Sequence, residues 1–227
     1  MATVTTVSRM RFQLTGVLIA LVAAGAWLLP SRSADGRPRQ GSHKKEAAVQ
    51  DDLLPYRKVA SPQELESDYV NMRVTPYKNP RFYFEVAVPR SFENKPVEVT
   101  PEQLRQDNAT PVPMAEFAPR GDKTVLIEAR YVRVPARVSL DRFMVVYAHQ
   151  SGFEIVKRQR GEFEGRQVED ALLRVSSPEL GKTLTRLTVS RRGDLVFMVA
   201  GSCRAADYPK WKRAFAVAAL SFSPTGK

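Results

Sequence analysis

After residue 80 the chain is dominated by runs in which apolar and polar residues alternate, and short turns separate these runs. The first run extends to Pro89 and places Phe82, Phe84, Val86 and Val88 on one face. This period of two is typical of a β-strand with one buried face. Successive strands joined by short turns pair antiparallel, so the pattern predicts an antiparallel sheet.

Seven more runs continue the pattern. They are residues 97–100, 112–118, 123–134, 153–160, 167–176, 183–190 and 195–200. Arg-Gly-Asp turns precede the third and the last of these runs, and Gly and Asp are residues that hairpin turns favour. We expect three hairpins here. The last run is apolar throughout, which predicts a central strand covered on both faces.

Helical patterns interrupt and end the strand series. Ser139 is expected to cap a helix whose apolar residues recur at helical spacing and which ends before Gly152. Asp207 is expected to cap a last helix with Pro209 in its first turn. A short helix is expected to begin at Ser61. The fold class is therefore α+β, a single antiparallel sheet flanked by helices, with residues 76–227 as the folded domain.

The first 30 residues have the pattern of a signal peptide or signal anchor. Arg9 and Arg11 precede an apolar run at residues 14–29. As a helix this run is about 24 Å long, which is short of the roughly 30 Å hydrocarbon core. Ala24 and Ala26 flank a glycine at a candidate cleavage site. If uncleaved, the segment is a transmembrane helix that holds the protein on the membrane.

Residues 31–75 are rich in Ser, Arg, Lys, Gln and Pro and are predicted to be a linker with a short helix. The segment before it predicts a bacterial periplasmic or inner-membrane-anchored protein. Import into an organelle stays open, because the first 34 residues contain arginine and hydroxyl residues and no acid. The orientation also stays open, because basic residues after the apolar run outnumber those before it.

The chain is basic, with a net charge of +11. Such an excess favours an acidic protein partner or anionic lipid headgroups. Nucleic acid is disfavoured, because aromatic residues do not interleave with the basic ones. The two later hairpins carry most of the basic cluster. Its candidate partner-binding residues are Arg158, Arg160, Arg166, Arg174, Arg186, Arg191 and Arg192.

Catalytic signatures are weak in this sequence. Cys203, His149 and Asp207 are the one thiol, base and acid that could be nominated as a triad, and their spacing does not support it. A single cysteine and two histidines offer no structural zinc cluster, and no phosphate loop or serine elbow occurs. We therefore expect no enzyme activity, no metal and no cofactor.

Three blocks of the sequence resemble the PsbP-like family and its bacterial relatives of the DcrB type. The first is the aromatic strand that ends at Pro89, followed by Phe92. The second is the helix and glycine of residues 140–155, and the third is residues 195–222, which include Trp211. The resemblance implies an αβα sandwich and a non-catalytic extracytoplasmic accessory protein that binds a partner protein or assists a membrane complex.

Two functions follow as expectations. The first is a membrane-tethered or secreted binding protein that engages a protein of an envelope or membrane complex. The alternative is a bitopic inner-membrane structural subunit of a secretion system. A third hypothesis, a hydrolase that uses Cys203, rests on the weak triad alone.

Overall fold

The computed structural model describes residues 60–78, 83–108, 110–177 and 181–225. The predicted signal or anchor segment and most of the predicted linker lie outside these residues. Within the described ranges, no helix has the length and apolar character needed to cross a bilayer.

The described residues form four α-helices and ten strands, numbered here in chain order. Along the chain, α1 precedes β1, α2 lies between β3 and β4, α3 between β5 and β6, and α4 between β9 and β10. The helices are α1 (Pro62–Asp68), α2 (Pro101–Arg105), α3 (Leu140–Gln150) and α4 (Tyr208–Ser221). The strands are β1 (Tyr69–Val74), β2 (Tyr83–Pro89), β3 (Phe92–Lys95), β4 (Val112–Pro119), β5 (Leu126–Arg133), β6 (Glu154–Phe163), β7 (Arg166–Ser177), β8 (Gly181–Arg192), β9 (Leu195–Arg204) and β10 (Ser223–Thr225). The α+β class with antiparallel strands is confirmed.

A seven-stranded antiparallel sheet, in the order β3-β4-β5-β9-β8-β7-β6, forms most of the fold. The three predicted hairpins, β4-β5, β6-β7 and β8-β9, are confirmed. Strand β9 lies between β5 and β8, and Val196, Phe197, Met198 and Val199 are all buried. The apolar run of residues 195–200 is therefore a central strand, as predicted.

A second, three-stranded sheet corrects the expectation of a single one. Strand β2 pairs with β1 and with β10 and is not part of the seven-stranded sheet. Its alternation is confirmed, because Phe84, Val86 and Val88 are buried. A period-two pattern shows that one face is covered but does not show which strand lies alongside, and this is why the two sheets were not separated.

The region before β2 and the region after it also differ from expectation. The expected short helix is present as α1, with a reciprocal capping box between Ser61 and Glu64. Strand β1 follows α1 directly within the segment predicted as linker, so the paired structure begins before residue 76. Residues 97–100 do not form the expected strand, because Thr100 caps α2, and the nearby strand is β3 instead.

Each face of the large sheet is covered by one helix. Helix α3 packs with Val189 and Leu173 on one face. Its cap Ser139 accepts a hydrogen bond from the backbone N–H of Arg142, and Gly152 after the helix has φ +71°, as predicted. Helix α4 lies on the opposite face, between β9 and the small sheet.

Helix α4 comes very close to β9 at Gly201. A Cβ atom on Gly201 would lie 2.2 Å from the ring of Phe215, so only glycine permits this approach. The expected side-chain cap at Asp207 is wrong. A short 3₁₀ turn over Ala205–Asp207 leads directly into α4, and the Asp207 side chain makes no capping hydrogen bond.

Candidate functional site: the edge of the large sheet

Arg186 is the one predicted binding residue that lies in the core. Its side chain is 1% exposed and forms a two-contact ion pair with Asp170, at 3.1 Å from Nε to Oδ1 and 2.9 Å from Nη2 to Oδ2. The Thr188 hydroxyl donates to the same carboxylate at 2.5 Å. The face of β8 that carries Arg186 is covered by α4, so Arg186 cannot contact a partner and leaves the candidate site.

Three of the predicted arginines form ion pairs on the β6-β7 hairpin. Arg158 Nη1 lies 2.6 Å from Asp141 of α3, and Arg160 Nε lies 2.5 Å from Glu169 of β7. Arg174 contacts Glu154 at the other end of the hairpin. The fold therefore uses one side of each guanidinium.

Three further arginines hold backbone carbonyl groups. Arg166 Nη1 donates to the carbonyl of Phe222 at 3.1 Å, and Arg192 Nη1 donates to the carbonyl of Pro224 at 3.2 Å. Arg191 donates to two carbonyl groups in the loop before α3. These three side chains fix the segment that follows α4, at Phe222 and Pro224, and the entry to α3. The structure therefore does not gather the seven arginines into one binding patch.

Arg158 and Arg160 remain as the exposed pair on a single face. They lie two residues apart on β6, opposite Ala171 and Glu169 of β7, and their side chains are 39% and 64% exposed. The next face-sharing residue, Glu162, is also exposed. Lys157 lies on the other face of the same strand, opposite Leu172.

Strand β6 forms one edge of the large sheet and is long for an edge strand, since β3 at the other edge has only 4 residues. It has 10 residues and, among the described strands, pairs with β7 alone. Natural edges are commonly short or covered, because their outward N–H and C=O groups can pair with another chain. A bulge between Ile155 and Lys157 interrupts one end, where Val156 is 39% exposed. From Lys157 to Phe163 the strand is regular. We call the outer side of residues 157–163 the β6 edge.

A shallow cleft lies beside the end of this strand. About 310 Å³ of space, which includes open solvent, lies over its lining, and the enclosed part has room for little more than a water molecule. Its lining is mainly apolar. The lining residues are Phe163, Arg166, Val168, Thr188, Ser190, Val199, Ala219, Leu220 and Phe222. Phe163 belongs to β6 itself, on the face opposite to that of Arg158 and Arg160.

Cys203, His149 and Asp207 do not form a catalytic site. Cys203 is buried in the cluster that α4 covers, whereas His149 belongs to α3 on the other face of the sheet. Burial, together with the charge of nearby Asp207, raises the pKa of the Cys203 thiol to about 12. A thiol with such a pKa forms too little thiolate to act as a nucleophile near neutral pH.

Sequence reasoning missed a charged cluster on β4 and β5. Glu116 lies directly opposite Glu128, and Arg130 pairs with Glu128 at 2.9 Å between Nη2 and Oε2. Burial, and then the charge of Glu128, raises the pKa of Glu116. The predicted hairpin of residues 112–118 and 123–134 already places Glu116 and Glu128 on one face, and this pattern could have indicated the cluster. Among the described residues, no group of three His, Cys, Asp or Glu side chains is placed to hold a metal ion.

Comparison with known proteins finds similarity in structure. No protein-family model matches the sequence, and no curated protein matches it. The fold is similar to CyanoP, the cyanobacterial PsbP of Synechocystis sp. PCC 6803, at 14% identity and a TM-score of 0.49, over 67% of this chain and 91% of CyanoP. It is also similar to LpqN of Mycobacterium tuberculosis, which is involved in cell envelope biogenesis, at 10% identity and a TM-score of 0.48, over 70% and 93% of the two chains. A PsbP protein is thus among the solved structures to which this chain is similar.

Proposed function

We propose that this chain is a non-catalytic accessory protein that acts outside the cytoplasm and binds a protein partner through the β6 edge. The observation that carries the proposal is the long edge strand with Arg158 and Arg160 exposed on one face. Arg166, Arg191 and Arg192 hold backbone carbonyl groups, and Arg186 is buried. Arg174 is 41% exposed and pairs with Glu154 at the other end of the hairpin, away from Arg158 and Arg160.

The chemistry of the described residues favours binding over catalysis. His149, the one histidine among the described residues, lies on the other side of the sheet from the buried Cys203 thiol. The cleft beside Phe163 has a mainly apolar lining and encloses little more than the space of a water molecule, which is too small for a substrate. Binding without turnover needs only an accessible surface of the right charge.

Placement outside the cytoplasm rests on the sequence alone. The basic residues Arg9 and Arg11 and the apolar run at residues 14–29 predict a segment that is either cleaved or retained as an anchor. N-terminal sequencing of the mature protein separates the two. A new N-terminus after Ala26 indicates secretion, and an intact N-terminus in the membrane fraction indicates an anchor. An intact protein found wholly in the cytosol contradicts the placement.

Co-purification from crosslinked membranes tests the partner surface. The informative variant is Arg158→Glu with Arg160→Glu, because both side chains are exposed. Arg160 also pairs with buried Glu169, so the urea midpoint of the variant is measured first, and Arg158→Gln with Arg160→Gln takes its place if the charge-reversed protein does not fold. The matched control is Arg105→Glu with Arg120→Glu, which makes the same charge change at exposed residues of α2 and of the turn after β4. We expect the β6 variant to lose its partner and the control to keep it. Equal recovery from both variants would contradict the proposal.

A further inference from the structure

We draw no further inference here: the strongest candidate, the charged cluster of Glu116, Glu128 and Arg130 on the part of the large sheet that α3 leaves open, carries nothing, because only the raised pKa of Glu116 marks it out and nothing among the described residues shows what would cover it.

Discussion

At the scale of single residues, the most consequential contact is the buried pair of Arg186 and Asp170. Both side chains are almost fully removed from water, and Thr188 adds a hydrogen bond to the same carboxylate. A buried ion pair adds little net stability over an apolar pair, but removal of one partner leaves a charge without compensation. From the sequence, Arg186 was expected on a partner-binding surface. In the structure α4 covers it, and Arg186 instead pairs with Asp170 in the core.

Removal of the acid should therefore be costly. We expect Asp170→Ala to lower the free energy of unfolding by about 3–5 kcal/mol, measured by urea denaturation. The comparison is Glu93→Ala, which removes an exposed partner of Arg120 and should cost at most about 1 kcal/mol. The double change Asp170→Leu with Arg186→Met should recover much of the loss. If Asp170→Ala and Glu93→Ala both lower the free energy of unfolding by about 1 kcal/mol or less, the buried ion pair is contradicted.

Gly201 provides a second test at this scale. An alanine there would place its Cβ atom against the ring of Phe215, so we expect Gly201→Ala to cost about 1–3 kcal/mol of stability. The clash disappears if the ring is absent. In the Phe215→Ala background the same change should cost clearly less, which a double-mutant cycle measures. Additive costs would show that the close approach is not the cause.

Cys203 should be chemically silent in the folded protein. Its thiol is buried and its pKa is raised to about 12, so almost no thiolate forms at pH 8. We expect iodoacetamide to leave the native protein unlabelled at pH 8 and to label it rapidly in urea. Fast native labelling would reopen the hydrolase hypothesis. Cys203→Ser provides the blank for the labelling measurement.

At the scale of elements, patterns that depend on neighbours in sequence were predictable. Helix α3 followed from Ser139, the spacing of its apolar residues and Gly152, because caps and amphipathic spacing are local. The β6-β7 and β8-β9 hairpins followed from short turns. Strand β1 was missed because its composition resembles a linker and its pairing with β2 is what orders it. Residues 97–100 were expected to form a strand because they contain β-branched residues. They do not, because Thr100 caps the N-terminus of α2.

The position of each strand in the sheet predicts its hydrogen exchange. Strand β9 has a neighbouring strand on each side and is mostly buried, so we expect its amide protons to exchange slowest. Amides of β6 that point away from β7 should exchange much faster, in an alternating pattern. Residue-resolved exchange by nuclear magnetic resonance gives this directly. Uniform slow exchange along β6 would show that its outer edge is already covered.

At the scale of the whole molecule, the sequence indicated the class of fold but not its division into two sheets. The assignment of β2 to a small sheet depends on β1 and β10, which lie at opposite ends of the described chain. The candidate site shows the same limit. A list of arginines was predictable, whereas the tertiary contacts decided that Arg186 is buried, that three others hold carbonyl groups, and that Arg158 and Arg160 stay exposed.

The central claim is that the β6 edge is the surface that meets a partner. Photocrosslinking in living cells tests it most directly, with benzoylphenylalanine placed singly at Val156 and Glu162 of β6 and, as matched exposed controls, at Glu102 and Arg120. The account predicts one shared crosslinked partner from both β6 positions and none from the controls. The same partner captured equally from all four positions, or from the controls alone, would contradict it.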